Sequence, residues 1–320
     1  MTRDPWLDNV KILLVTLVVV GHTWTLLPET WVIDRTYDWL YLWHVPAFVM
    51  ITGYLSRRFT YDRTNLRKLV TTVALPYLVF EGLFALFRVH VGGETLERLW
   101  LDPHWPLWYL TALFFWRLAT PALRWLPWAL PVTIGVSLLG GLADLETFDI
   151  NRALGLLPFF AAGVLVQPHH IGLIRTRGAR LVGVVVLTSG LLVAHLVEDQ
   201  PASEWLYYRT PYELLDAGWL FGMGVRLGLI AVAFAMAVAV LAWIPRRGGW
   251  FTALGAGSLV VYLFHGFLVK AAEYAGFEDW AADKALLSFS VATVVAVVVA
   301  LTLSWRPVRA PLEKVVTPAP

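Results

Sequence analysis

Two residues in the first long apolar run could do chemistry. The run extends from Leu7 to Leu27, with Lys11 near its amino end and His22 deep inside. An α-helix turns about 100° and rises about 1.5 Å per residue, so eleven residues make almost three whole turns. Lys11 and His22 therefore share one helix face, roughly 16 Å apart along the axis. A point cation can hold an anion, and an imidazole with an ordinary pKa near 6.5 can take up and release a proton. Ionisable groups within a membrane helix are costly and face a bundle interior or a water-filled cavity. The pair is the leading site hypothesis.

The elements that must position this pair are membrane helices. Of 320 residues, 58% are hydrophobic and only 15% are charged, against about 25% charged in an average soluble domain. The expected fold is an all-α integral membrane protein of about ten spans. They lie roughly at 9–27, 38–56, 66–88, 105–121, 126–142, 153–167, 179–197, 219–244, 257–275 and 284–304. Several of the 17 Trp sit at run ends (Trp6, Trp24, Trp39, Trp105, Trp243, Trp250), as in an aromatic belt. Pro121 and Pro158 are expected to end or interrupt the fourth and sixth spans. No small-residue cleavage site follows the first run, which reads as a retained span. The chain reads as one membrane domain over 1–320, with a core of about 5–305 and no fused soluble domain.

Loop charges alternate. One set carries Arg57, Arg58, Arg63, Arg67 and Lys68, then Arg117 and Arg124, then Arg175, Arg177 and Arg180, then Arg246 and Arg247. The other set is acidic or mixed: Glu29 and Asp34; Glu94, Glu97 and Asp102; Asp144, Glu146 and Asp149; Glu198, Asp199 and Glu204; Glu278, Asp279 and Asp283. Basic loops stay in the cytoplasm. Both termini are then cytoplasmic, as an even count requires. Lys11 falls at the inner mouth, and His22, His44 and Glu81 fall in the outer half at similar depth, with His265 nearer the middle of its helix. A net charge of +2 and no basic stretch interleaved with aromatics argue against nucleic acid. The chain has no cysteine, so thiolate nucleophiles and thiolate metal sites are excluded. His169–His170 are adjacent in a basic loop with no carboxylate nearby, which is not metal-ligand spacing. No metal is expected.

The chain resembles the membrane acyltransferase-3 family, in particular its fucose 4-O-acetylase-like branch. The resemblance rests on Leu7-Asp8-Asn9, on a basic residue eleven before a histidine, and on His44-Val45-Pro46-Ala47-Phe48 leading to Thr52-Gly53-Tyr54-Leu55. Arg67 and Lys68 before Pro76-Tyr77, Pro106-Leu107-Trp108-Tyr109-Leu110, Pro158 to Gly163, and Ser258 with Tyr262-Leu263-Phe264-His265 extend it over nearly the whole chain. Lys11 stands where many relatives have Arg, Trp43 where they have Phe and Thr52 where they have Ser.

The resemblance implies transfer of an acyl group, usually acetyl, from cytoplasmic acyl-CoA as co-substrate to a hydroxyl. The hydroxyl acceptor belongs to a sugar, glycolipid, cell-wall polymer or secondary metabolite. It makes His22 the catalytic histidine, suited as a general base, and Lys11 its basic partner at the donor. A covalent acyl-imidazole stays open. Arg57, Arg58, Arg67 and Lys68 either set topology or bind the donor's phosphates. Asp8 shares the Lys11 face and could orient it. His44 either orients His22, binds acceptor or holds its helix. Glu81 polarises a histidine, binds a sugar hydroxyl, or pairs with Arg88 or Arg226. Trp108 packs in the core or stacks on a sugar, and His265 is structural or orienting. The expected location is a bacterial inner or plasma membrane, with oligomeric state left open. A proton-coupled carrier is the rival class, against which no paired broken helices are seen in two halves.

Overall fold

The structure, a computed structural model, describes residues 4–96, 98–196 and 202–316. Glu97, Glu198 and Asp199 of the acidic loops lie outside the described residues. Every regular element within them is helical. In chain order these are α1 (Pro5–Trp24), α2 (Trp31–Tyr41), α3 (His44–Ser56), α4 (Arg63–Leu69), α5 (Leu75–His90), α6 (Trp108–Trp125), α7 (Ala129–Gly140), α8 (Ile150–Leu165) and α9 (Pro168–Leu173). There follow α10 (Arg177–Leu196), α11 (Ala202–Tyr207), α12 (Trp219–Trp243), α13 (Trp250–Leu254), α14 (Ser258–Tyr274), α15 (Phe277–Ala281), α16 (Ala285–Ser304) and α17 (Arg306–Val316).

Among the described residues, seven helical stretches are long and apolar enough to cross a membrane: Pro5–Trp24, Arg63–His90, Thr147–Leu165, Arg177–Ala194, Trp219–Trp243, Trp250–Tyr274 and Ala285–Ser304. Seven of the ten expected spans fall on these. The other three fall on α3, α6 and α7. On the spanning helices, exposed apolar residues such as Leu181, Val185 and Leu192 on α10 and Leu286, Val294 and Val298 on α16 make the lipid-facing surface.

The prolines account for the main differences from expectation. The stretch 38–56 is not one helix. It breaks between α2 and α3, so that Pro46 sits in a first turn, where its missing N–H costs nothing. The stretch Arg63–His90 runs on through Pro76, because the five residues Val70–Ala74 widen into a π-turn that absorbs the clash with the carbonyl four residues back. α8 is not interrupted at Pro158, and α6 continues past Pro121 to Trp125. Around Pro158, neighbouring side chains bind the flanking carbonyls. Trp116 Nε1 donates to Ala153 O at 2.9 Å and Ser137 Oγ donates to Gly155 O at 2.8 Å. These two bonds brace α8 on either side of Leu154, whose carbonyl Pro158 leaves without its helical donor.

The chain forms two compact units, each assembled from separated segments. Unit 1 comprises Met1–Leu40, Val79–Glu97 and Ile244–Pro320, and unit 2 comprises Tyr41–Leu78 and Arg98–Trp243. In unit 1, α1 packs on α13, α14 and α16. The α5 segment adds a ring ladder to α14, with Phe80 edge-on to Phe264 and Phe84 stacked on Phe267 at 3.8 Å. In unit 2, α3 and α8 form the tightest helix pair, flanked by α6, α7 and α12.

Candidate functional site

The site in unit 1 is built on α1. Asp4 caps its start, accepting the Trp6 N–H at 2.9 Å, and Pro5 opens the first turn. One turn on, Lys11 Nζ meets Asp8 Oδ1 at 2.7 Å. Asp8 is buried, while Lys11 keeps about a quarter of its side chain exposed at 27%. The expected Asp8–Lys11 pairing is made, and the carboxylate fixes where the ammonium stands.

Between these two residues lies Asn9, which composition alone does not single out. Its Nδ2 donates to Pro245 O at 2.8 Å and Arg247 O at 3.2 Å, and its Oδ1 accepts from Thr252 Oγ1 at 2.7 Å. Thr252 Oγ1 in turn accepts the Gly249 N–H at 2.9 Å. The loop bearing exposed Arg246 and Arg247 is thereby fastened to the Lys11 end of α1.

At the other end of α1, His22 meets a second histidine. Its Nδ1 lies 2.8 Å from His265 Nε2 on α14, with the rings 5.1 Å apart and nearly parallel at 12°. His265 is fully buried, and its Nδ1 lies 2.7 Å from Tyr262 O and 3.1 Å from Val261 O. Carbonyl oxygens only accept, so His265 Nδ1 carries the hydrogen. In the neutral pair His265 Nε2 is then a bare acceptor and His22 Nδ1 must donate to it. The tautomer assigned to His22 by this chain leaves its lone pair on Nε2. A ring so held can accept a proton at Nε2 while its positive charge is supported through Nδ1.

His265, read as structural or orienting, is in hydrogen-bond contact with His22. His44 belongs to unit 2, where its ring packs edge-on against Tyr41 at 4.6 Å and Trp43 at 6.5 Å. Glu81 is buried in unit 1, on the α5 segment between Phe80 and Phe84. Its expected cation Arg88 is engaged elsewhere, with Nε 2.7 Å from Glu94 Oε2. Arg226 is engaged within unit 2, donating to Ser137 O at 3.1 Å and Thr210 O at 3.2 Å.

The four other cations expected at the donor, besides Lys11, lie in unit 2. Arg58, Arg67 and Lys68 are exposed. Arg57 is turned back on its own helix, with Nη1 donating to Tyr54 O at 2.6 Å and its guanidinium 3.7 Å from the Tyr54 ring centre. It closes the carboxyl end of α3 and is not a freely projecting cation. Trp108, read as packing in the core or stacking on a sugar, has the Arg152 guanidinium 4.1 Å above its ring. His170 Nδ1 accepts the Gln167 N–H at 3.2 Å, capping α9. Among the described residues, no three His, Cys, Asp or Glu side chains gather as a metal site.

With this geometry in place, comparison with known families decides the class. Residues 4–305 match a family model described as an acyltransferase domain. The chain belongs to the membrane acyltransferase-3 family. It is therefore a multi-pass membrane protein with acyltransferase activity, and the carrier reading has no support. Neither a curated protein nor a solved structure matches it. The match spans the acyltransferase from the cap of α1 to just past α16. It includes His22, His265, Lys11 and Asn9, and it contains segments of both units.

Proposed function

We propose that this acyltransferase moves an acyl group, acetyl in the simplest case, from acyl-CoA to a hydroxyl of a carbohydrate-type acceptor, with His22 as general base. The observation that carries this reading is the hydrogen-bonded chain from His22 through His265 to the Tyr262 carbonyl. The hydroxyl oxygen attacks the thioester carbon as its proton passes to His22 Nε2. The C–S bond then breaks, and the departing CoA thiolate takes that proton back. A positioned base of this kind contributes about 10²–10⁴-fold in rate.

The donor's phosphates are assigned to the Lys11 end of α1. Lys11 supplies a point charge oriented by Asp8, and Arg246 and Arg247 stand on the loop that Asn9 fastens there. Arg pairs with phosphate through two parallel N–H bonds, which a lysine cannot do. The bilayer is a bacterial inner or plasma membrane.

The test is acyl transfer from labelled acetyl-CoA by membranes carrying the His22→Ala protein. Rates near those of the unaltered protein, at equal protein level, would remove His22 from the chemistry.

A further inference from the structure

Arg152 is a buried charge in unit 2 that keeps an unsatisfied donor. It sits in the first turn of α8 and is 8% exposed. Its Nε is buried with no hydrogen-bond partner. Among the described residues the carboxylate paired with it is Asp149, with Oδ2 at 4.0 Å from Nη1, beyond hydrogen-bond distance. A guanidinium has five N–H donors in one plane. A buried charge that lacks hydrogen bonds is costly, and the usual resolution is a partner or a ligand.

Two aromatic rings lie against the Arg152 guanidinium. The guanidinium carbon lies 4.1 Å from the Trp108 ring centre and 5.3 Å from that of Tyr207. Stacking of this kind uses the π-face of the guanidinium and its delocalised charge. The N–H groups of a guanidinium lie in its plane. Tyr207 is braced by Tyr41, edge-on at 5.3 Å, and Tyr41 by His44. Thus His44 and Trp108, two residues expected to serve the acceptor, belong to one aromatic cluster around Arg152.

The backbone of this cluster is held in an uncommon state. Phe148 (φ 58°), Asp149 (φ 53°) and Tyr208 (φ 59°) are non-glycine residues in the left-handed region, next to Arg152 on one side and Tyr207 on the other. Phe148 N donates to Leu101 O at 2.7 Å, and its carbonyl accepts from Thr111 Oγ1 at 3.0 Å. Strained residues persist where the surroundings over-determine them, and they concentrate at sites.

We infer that Arg152 is the anchor of an oxyanion-binding site, taking the carboxylate or phosphate of a sugar or lipid in the plane of its guanidinium. The fork geometry suits a bidentate carboxylate or phosphate. Loop charge places the 143–152 turn on the non-cytoplasmic side, so the ligand is not the donor. As the recognition site for an anionic acceptor the assignment rests on the acyl-transfer reading above; as a binding site it does not need turnover.

The experiment uses the full chain in phosphatidylcholine nanodiscs and reads the rise in Tm with added ligand. The arms are glucuronate, glucose 1-phosphate, neutral glucose, and nanodiscs containing phosphatidylglycerol. Glucuronate or glucose 1-phosphate should raise Tm where glucose does not. A shift with phosphatidylglycerol alone assigns the same oxyanion site to a lipid headgroup. The shift should vanish in Arg152→Gln and weaken about tenfold in apparent affinity in Arg152→Lys, which keeps the charge and loses the fork. Asp149→Asn removes the competing carboxylate and should tighten binding. His22→Ala should leave binding intact, which separates this inference from the choice of base. An unchanged shift in Arg152→Gln, no shift with any oxyanion, or no gain in Asp149→Asn overturns it. If Arg152→Gln does not accumulate, the Asp149→Asn result decides alone.

Discussion

His22 Nδ1 and His265 Nε2 lie 2.8 Å apart, and the Tyr262 carbonyl behind them settles which nitrogen holds the hydrogen. Removing His265 therefore attacks the tautomer of His22 without touching the nitrogen proposed to take the proton. We expect His265→Ala to lower kcat by roughly 10²-fold, within the range ascribed to positioned proton transfer. The KM for acyl-CoA should stay nearly constant. His265→Gln, whose amide oxygen can accept the His22 Nδ1–H, should recover part of the loss. Acyl-transfer kinetics in nanodiscs at equal protein level check this. A His265→Ala enzyme with an unaltered kcat would show that the pair is packing alone.

That pair also marks how far the sequence could be read. Lys11, Asp8 and His22 lie within a few turns of one apolar helix, and their shared face follows from helix periodicity. His265 is separated from His22 by 243 positions, and a single histidine in an apolar run carries no signal of which helix it meets. The break before Pro46 and the passage through Pro158 have the same origin. Whether a proline ends a helix depends on what packs around it, and Trp116 and Ser137, which brace α8 near Pro158, come from other helices. Arg152 was hidden for another reason. In Ile150-Asn151-Arg152 it reads as a loop-end charge, and only packing reveals that Trp108 and Tyr207 cover it.

Asn9 fastens the 245–252 connection to α1 through three side-chain hydrogen bonds. Asn9→Ala leaves those partners without it and should cost roughly 1–3 kcal/mol. Asn9→Asp should do no better, because a carboxylate cannot donate to the Pro245 and Arg247 carbonyls. Thermal unfolding measures the loss, and faster proteolysis at Arg246–Arg247 locates it. If those cations hold the donor, the KM for acyl-CoA rises in both variants while kcat changes little. Equal KM values in wild type and both variants would place donor binding elsewhere.

Glu94 ties the turn after α5 to the end of α14. It meets Arg88 Nε at 2.7 Å and Lys270 Nζ at 3.0 Å, and it accepts the Tyr274 hydroxyl. Burial alone would raise its pKa, but the hydrogen bonds from Tyr274, Lys270 and Arg88 overcome that and pull it down from 4.5 to about 2. A lowered carboxylate pKa stabilises the folded state above the unfolded value and loses that contribution as pH falls toward the folded one. Wild type should therefore be more stable than Glu94→Gln at pH 7, and the gap should close between about pH 4.5 and pH 2. Paired melting curves across that range test it. A gap independent of pH would mean that the carboxylate charge is not what holds the turn.

Gly53 and Gly163 let α3 and α8 approach backbone to backbone. A Cβ at Gly53 would collide with the Phe160 carbonyl, and one at Gly163 with the Met50 carbonyl. Small residues serve this purpose in membrane bundles, where close packing replaces the hydrophobic drive between helices. The obstacle is backbone on both sides, so no rotamer change relieves it. Overpacking costs about 1–3 kcal/mol where side chains can shift, and Gly53→Ala or Gly163→Ala should reach or exceed the upper end. Gly135 on α7 has open space where its Cβ would go. Gly135→Ala should therefore be neutral or gain roughly 0.5–1 kcal/mol from helix propensity. Protein accumulation in membranes and melting temperature compare the three variants. Normal accumulation and stability of Gly53→Ala would mean that the two helices have room to separate, and Thr52, whose hydroxyl meets Tyr109 next to this contact, would move with them.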